Sequence, residues 1–370
     1  MNKVMIKLGD VATYINGYAF KPEDRGEIGL PIIRIQDLTG NSYNLGFFDG
    51  EYPEKIEINN GDVLISWSAS LGVYIWNRGK ALLNQHIFKV VFDKNDIDKN
   101  YFVYAVRQKL DEMGRKTHGA TMKHIVKKDF DTTEIPYPSL EEQIKIATNL
   151  NKITKIIELR KQEIQLLDDL IRARFVEMFG DPQLNPFGWN VVNISEVVGD
   201  KVSNGFFAKR DDYVDNGNVS VLGVANVVNR MYSKIDGLPR TNADAKDIEK
   251  FEVKYGDMLF CRSSLVAEGI GKASIIPEDV QEKVLFECHV IRLPLELSKC
   301  IPEFMQALST MEYFRNQVIA QSKTATMTTI GQDGILKTDI ILPPIDKQRE
   351  FYDFVKKIDK SKFHTEENII

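Results

Sequence analysis

The chain has 370 residues, 43% hydrophobic and 27% charged, which is ordinary globular composition at a length that suits two domains. A net charge of −5 excludes a whole-chain basic signature, so any nucleic-acid contact has to be local or shared with a partner. Cys261, Cys288 and Cys300 show no C-x-x-C spacing, so neither a disulfide framework nor a zinc site is expected. A reduced, cytoplasmic setting is expected too, because the N-terminus lacks an apolar signal core and no stretch is long enough to span a membrane.

In chain order, LPIIRIQDL, GDVLISW, LGVYIWN and HIFKVVF predict strands, and KNYFVYAVRQKLDEMGR predicts a helix. Residues 139–179 contain no Gly or Pro and open on Ser139 and Glu142 at capping-box spacing. Leu150, Ile153, Ile157, Ile164, Leu167, Ile171 and Met178 recur at alternating three and four, with Arg160 and Arg174 in the remaining slots. That heptad stripe predicts a helix of roughly 60 Å that packs on another helix, with Gly180-Asp181-Pro182 as its stop. VSVLGVANV, GDMLFCR, KASIIP and CHVIRLPL predict a second set of strands, and PEFMQALSTMEYFRNQVIA a second helix. A shorter helix begins at Pro344, with Phe351, Val355 and Ile358 on one face.

The two halves repeat each other. GATMKHI at 119–125 is matched by TATMTTI at 324–330, and Ala120, Pro138 and Gln143 stand 205 residues before Ala325, Pro343 and Gln348. Upstream, NGYAFK matches NGFFAK, GDVLIS matches GDMLFC and QHIFKV matches CHVIRL, at spacings of 188, 195 and 203 residues. Conserved order with a growing offset indicates a duplicated domain whose loops have taken insertions, at a period far beyond that of a solenoid. The expected class is α+β: β-rich domains at 1–138 and 181–343, a long helix at 139–180, and a short helix and tail at 344–370. The two helices are expected to pair antiparallel, giving a pseudo-two-fold.

No phosphate loop, methyltransferase Asn-Pro-Pro motif, Gly-x-Ser-x-Gly or His-Glu-x-x-His is present, so no catalytic residue and no metal are expected. His86 and His289 hold equivalent places and are read as structural. Basic residues cluster with hydroxyls and amides around the repeated signature, the mixture that contacts phosphates and base edges. The first half offers Arg115, Lys116, His118, Thr121, Lys123, His124, Lys127 and Lys128, with Arg34, Gln36, Arg78 and Lys80 upstream. The second offers Lys209, Arg210, Arg262, Ser263 and Lys272, then Lys323, Thr324, Thr326 and Thr328.

KLGDVATYINGYAFK, LPIIRIQDL, GDVLIS, IPYPSLEEQIKIATNLNKI, GDPQLNPFGW and TATMTTI…ILPPIDKQREF together resemble the specificity subunit of type I restriction–modification systems, over nearly the whole chain. The resemblance implies two target recognition domains, each reading one half of an asymmetric bipartite site in double-stranded DNA. The helices would set the gap between the halves and dock two methyltransferase subunits. Those partners would bind S-adenosylmethionine and modify adenine, and motor-nuclease subunits would join for cleavage, so this chain would hold no cofactor. The second helix is shorter than the family's return helix, which implies that a partner or a second copy covers the remaining stripe. The competing expectation is a two-headed coiled-coil scaffold without DNA recognition.

Overall fold

The computed structural model describes residues 4–40, 45–116 and 125–367, the side chains of 114–116 and 363–367 apart. It divides into two compact units, Met1–Ile157 and Glu158–Ile370, and the helix Leu140–Phe179 contributes to both. Ser139 and Glu142 form the expected cap: the Glu142 amide donates to Ser139 Oγ at 3.3 Å, and the Ser139 amide donates to Glu142 Oε2 at 3.2 Å.

The first unit is built on a four-stranded antiparallel sheet in the order Thr13–Asn16, Ile87–Val91, Val63–Ser66, Gly72–Ile75. A smaller sheet orders Phe47–Phe48, Leu30–Ile33, Ala81–Leu83 and Glu57–Ile58, and its Leu30–Ile33 and Ala81–Leu83 strands run parallel. The helix Lys99–Lys116 buries Phe102, Val106 and Leu110 against the first sheet's apolar face. The second unit repeats this plan. Its main sheet orders Ser203–Asn204, Val290–Pro294, Asp257–Cys261 and Ala273–Ile275, and its smaller sheet again contains one parallel pair, Val219–Leu222 with Val284–Phe286. In each unit a terminal strand pair closes the fold, Met5–Lys7 with Glu134–Pro136 and Asn190–Asn193 with Asp339–Leu342.

Two expectations are corrected. LPIIRIQDL and VSVLGVANV do not continue as strands: each turns into a short helix, Ile35–Thr39 and Val224–Val227. The reason is the same in both copies. Asp37 Oδ2 accepts the Arg34 amide at 2.8 Å and Asn226 Oδ1 accepts the Gly223 amide at 3.2 Å, capping a helix where apolar alternation alone predicts a strand. The helix expected over PEFMQALSTMEYFRNQVIA breaks into Pro302–Ser309 and Glu312–Ala320. The Ser309 and Thr310 hydroxyls donate to the Gln306 and Ala307 carbonyls at 2.6 and 2.7 Å, next to the point where the chain turns extended at Met311.

In the second unit the long helix pairs antiparallel with the helix Ile345–Glu367. Phe351 meets Phe175 and Phe179 edge-on at 5.6 Å, the Arg174 guanidinium lies 5.7 Å from the Phe354 ring, and Lys362 bonds Asp168, so one number falls as the other rises. Phe175, Phe179, Phe351 and Val355 are fully buried, and Ile171 and Ile358 pack on the same core. Ile157, Ile164 and Leu167 are half-buried along the expected line. Leu150 lines a groove of the first unit beside Tyr104. Ile153 is a correction: it is 53% exposed, and the half-buried place is taken by Thr154, whose hydroxyl lies 3.1 Å from that of Tyr104.

Candidate nucleic-acid interface

Strand register determines which loops meet. In the second unit Asn204 faces Ile291, Cys261 faces Val290 and Phe260 faces Ala273. One end of the main sheet therefore gathers four segments: Gly205–Arg210, Arg262–Val266, Gly271–Lys272 and Glu287–His289. Gly205 is required there, since a Cβ would sit 2.2 Å from the Phe286 carbonyl oxygen. The repeated signature lies beside them. Lys323–Thr324 and Thr328–Thr329 form a hairpin whose second strand pairs with Ser263–Ser264. Ala325, Thr326 and Met327 are its tip, closed by the Ala325 amide donating to the Met327 carbonyl at 3.2 Å.

The structure thus brings together Arg262, Ser263, Lys323, Thr324 and Thr326 from distant parts of the sequence, with Lys209 and Arg210 exposed on the neighbouring loop. Arg262 Nη1 donates to the Cys288 carbonyl at 3.2 Å, and Ser263 Oγ lies 3.2 Å from His289 Nδ1. Thr328 does not belong to the exposed set. It is 2% exposed with its hydroxyl 3.0 Å from that of Thr324, so it holds the hairpin instead of reaching outward. Lys272 Nζ donates to Asn229 Oδ1 at 2.7 Å on the sheet's outer edge. Sequence reasoning missed Leu265, Val266 and Phe207, which are 82%, 58% and 69% exposed on these loops, apolar groups of the kind that touch a thymine methyl.

The same end of the first unit's sheet, where Asn16 faces Phe88 and Ser66 faces both Ile87 and Gly72, presents other residues. Exposed Tyr18 and Lys21, half-buried Trp67, and Gln85 and His86 stand there. Of these, sequence reasoning singled out only His86, read as structural, although NGYAFK and QHIF are among the repeated motifs that hold Tyr18, Lys21 and Gln85. Gly17 makes the same close approach as Gly205, with a Cβ position 2.0 Å from the Asn84 carbonyl oxygen. Of the residues expected from sequence, Gln36 is exposed, while Arg34 is largely buried with Nε 3.1 Å from Asp37 Oδ2. Arg78 and Lys80 follow the other end of that sheet, where Ile75 faces Val63. Arg78 stacks 4.6 Å from the Trp76 ring and donates to the Asp37 carbonyl, and Lys80 pairs with Glu57 at 2.8 Å. Lys127 pairs with Asp131 at 2.8 Å, and Lys128 is exposed beside it. Arg115 and Lys116 end the helix Lys99–Lys116, but their side chains lie outside the described residues, as do His118, Thr121, Lys123 and His124.

Among the described residues no group of His, Cys, Asp or Glu is set to hold a metal, and no helix is long and apolar enough to cross a membrane. Burial pushes the Cys261 thiol up and makes it a poor nucleophile.

The sequence profile of the type I restriction modification DNA specificity domain matches residues 2–168 and again 186–370. The chain belongs to this family. It is 22% identical to the type I restriction enzyme EcoBI specificity subunit of Escherichia coli, over 95% of this chain and 78% of that one. It is 24% identical to the MjaVIII specificity subunit of Methanocaldococcus jannaschii, over 96% of this chain and 85% of the relative. The crystal structure of a type I restriction–modification S subunit from M. genitalium shares the fold, with a TM-score of 0.57 at 12% identity over 100% of this chain and 92% of that one. The match decides the function in favour of a DNA specificity subunit and against a scaffold without DNA recognition, and a specificity subunit is a non-catalytic role.

Proposed function

We propose that each unit of this specificity subunit reads one half of an asymmetric, bipartite site in double-stranded DNA through the loop-bearing end of its main sheet. The carrying observation is that both units form this end from the same repeated motifs and fill it with different side chains. Tyr18, Trp67 and Gln85 stand in the first, and Arg262, Ser263 and the Lys323–Thr329 hairpin in the second, with His86 and His289 common to both. A shared scaffold with different contact groups suits two half-sites of different sequence. Residues 1–138 and 181–343 serve as the two recognition domains, with the long helix of 139–180 between them and the short helix and tail of 344–370 after them. Arg115, Lys116, His118, Thr121 and Lys123 extend the first domain's contact set.

The helices dock two methyltransferase subunits, which bind S-adenosylmethionine and modify adenine, and motor-nuclease subunits join for cleavage in the cytoplasm. Ile156, Leu159, Leu166 and Leu170 support this docking, since they are 45–66% exposed on the long helix away from its half-buried line. The test is to co-express the chain with the methyltransferase subunit encoded beside it and map adenine methylation across the host genome. Two short defined halves around an unspecified gap are expected. A complex that forms but methylates no split motif overturns the reading.

A further inference from the structure

The second unit holds a cavity of about 500 Å³ between the long helix and the segments Asn229–Met231, Lys272–Ala273 and Gln306–Arg315. Arg172, Arg230, Lys272 and Arg315 all line it, and the single carboxylate in its wall, Asp168, is already bonded by Lys362. None of the four cations is ion-paired among the described residues. Their contacts are neutral and leave donors over. Arg315 Nη2 donates to the Glu268 carbonyl at 3.0 Å, while its Nη1 is buried without a partner. Lys272 reaches only Asn229 Oδ1, and Arg230 touches the Val228 and Ala225 carbonyls at 3.4 and 3.5 Å.

Arg230, Lys272 and Arg315 are half-buried and unpaired, which carries a desolvation cost that a bound anion removes; exposed Arg172 stands at the rim, and guanidinium forks suit a tetrahedral oxyanion. In a chain of net charge −5 such a cluster of cations does not follow from composition. Lys272, one of the residues at the loop-bearing sheet end, also lines the cavity. Glu268, held by Arg315, lies in the turn Ala267–Gly269 after Ser263–Ser264, the strand on which the Lys323–Thr329 hairpin is paired. Burial also draws the Arg315 guanidinium below its ordinary value, as expected where its charge lacks a partner.

We propose that this cavity is an oxyanion site that takes a phosphate group, either a backbone phosphodiester beside the second half-site or free phosphate. The first source rests on the DNA-reading role given above. The test uses Arg230→Gln and, on the exposed helix face, Arg172→Gln as a second variant insensitive to loop folding. With the methyltransferase complex on its mapped site, a backbone contact lowers the slope of log affinity against log salt by about 0.9 per phosphate lost. That loss falls equally on cognate and altered half-sites, because a phosphate contact carries no sequence information. With the DNA-free protein, a free-phosphate site shows as a rise in thermal midpoint on titrating inorganic phosphate, present in the parent and absent from the variants. Either result supports the site and identifies its source. Unchanged salt slope together with unchanged phosphate response in both variants overturns it. Failure of the parent complex to methylate any split motif overturns the DNA-reading role instead, and leaves the phosphate titration as the deciding arm here.

Discussion

Gln143 and Gln348 stand at the same place in the two halves, 1% and 0% exposed, and explain one of the repeated motifs. Gln143 accepts the Asp98 amide at 2.9 Å and donates to the Pro138 carbonyl at 2.9 Å. Gln348 accepts the Ile301 amide at 2.8 Å and donates to the Pro343 and Lys299 carbonyls at 2.8 and 3.1 Å. Each amide ties the start of a connector helix to the start of the domain's main helix. Gln348→Leu keeps the volume and orphans an amide and two carbonyls, at a cost of about 1–3 kcal/mol per unsatisfied group. Hydrogen exchange at the helix Pro302–Ser309 should lose protection. Unchanged exchange there would show that the amide is dispensable. Glu303 offers a pH prediction. It is fully buried, with Tyr232 Oη donating at 3.0 Å and Tyr255 Oη at 3.2 Å, and burial raises its pKa above the usual 4.5 despite those donors. Below 4.5 both folded and unfolded states hold the proton. As pH rises toward the raised folded value the unfolded state releases its proton first, so this group's contribution to stability falls and then levels off. Glu303→Gln should therefore be more stable than the parent at pH 8, with the advantage vanishing below about pH 4.5. Parallel urea midpoints at the two pH values check this, and an equal difference at both refutes it. At the interface, Lys323→Gln should weaken binding to all sequences alike and reduce the salt slope by about 0.9 if Lys323 meets a phosphate. A change in base preference would instead make Lys323 a reader of base edges.

At the scale of elements, the long helix was legible because its pattern is local: a cap, an uninterrupted run and a three-and-four stripe. The structure changes its detail. Ile153 leaves the line and Thr154 enters it, since tertiary contact with Tyr104 selects among neighbours that the heptad alone cannot rank. The pairing with the helix Ile345–Glu367 rests on an aromatic cluster in which Phe175 stacks 5.5 Å from Phe304 and meets Phe351 edge-on. Phe175→Ala removes the centre of that cluster and should cost about 3–5 kcal/mol, read from the unfolding midpoint of the full chain. A cost under about 1 kcal/mol would mean that the pairing does not depend on this core. If the long helix sets the gap between half-sites, four added residues, about 6 Å, should lengthen the unspecified gap by about one or two base pairs. An unchanged gap in the methylation map removes the ruler role. The strands that became short helices were misread for a physical reason. Asp37 and Asn226 capture a backbone amide three residues back, and that capping geometry outweighs apolar alternation.

For the whole molecule, exchanging residues 1–138 for the corresponding domain of another specificity subunit should change one half of the methylated motif and leave the other. A change in both halves would show that the units do not read independently. The sequence by itself determined the duplication, the α+β class, the long capped helix and, through the resemblance, the family. Each depends on order and spacing along the chain, and these survive divergence of individual residues. Only the tertiary structure decided which residues share a surface. Strand register carried Arg262, Ser263 and the hairpin to one sheet end, placed Tyr18, Trp67 and Gln85 at the equivalent end of the other unit and turned Thr328 inward. It also set Arg172, Arg230, Lys272 and Arg315 around one cavity from four separate segments. A basic residue reads the same in sequence whether it faces solvent, a carboxylate or a void. Which one it meets is fixed by long-range pairing between strands, and no local pattern encodes that.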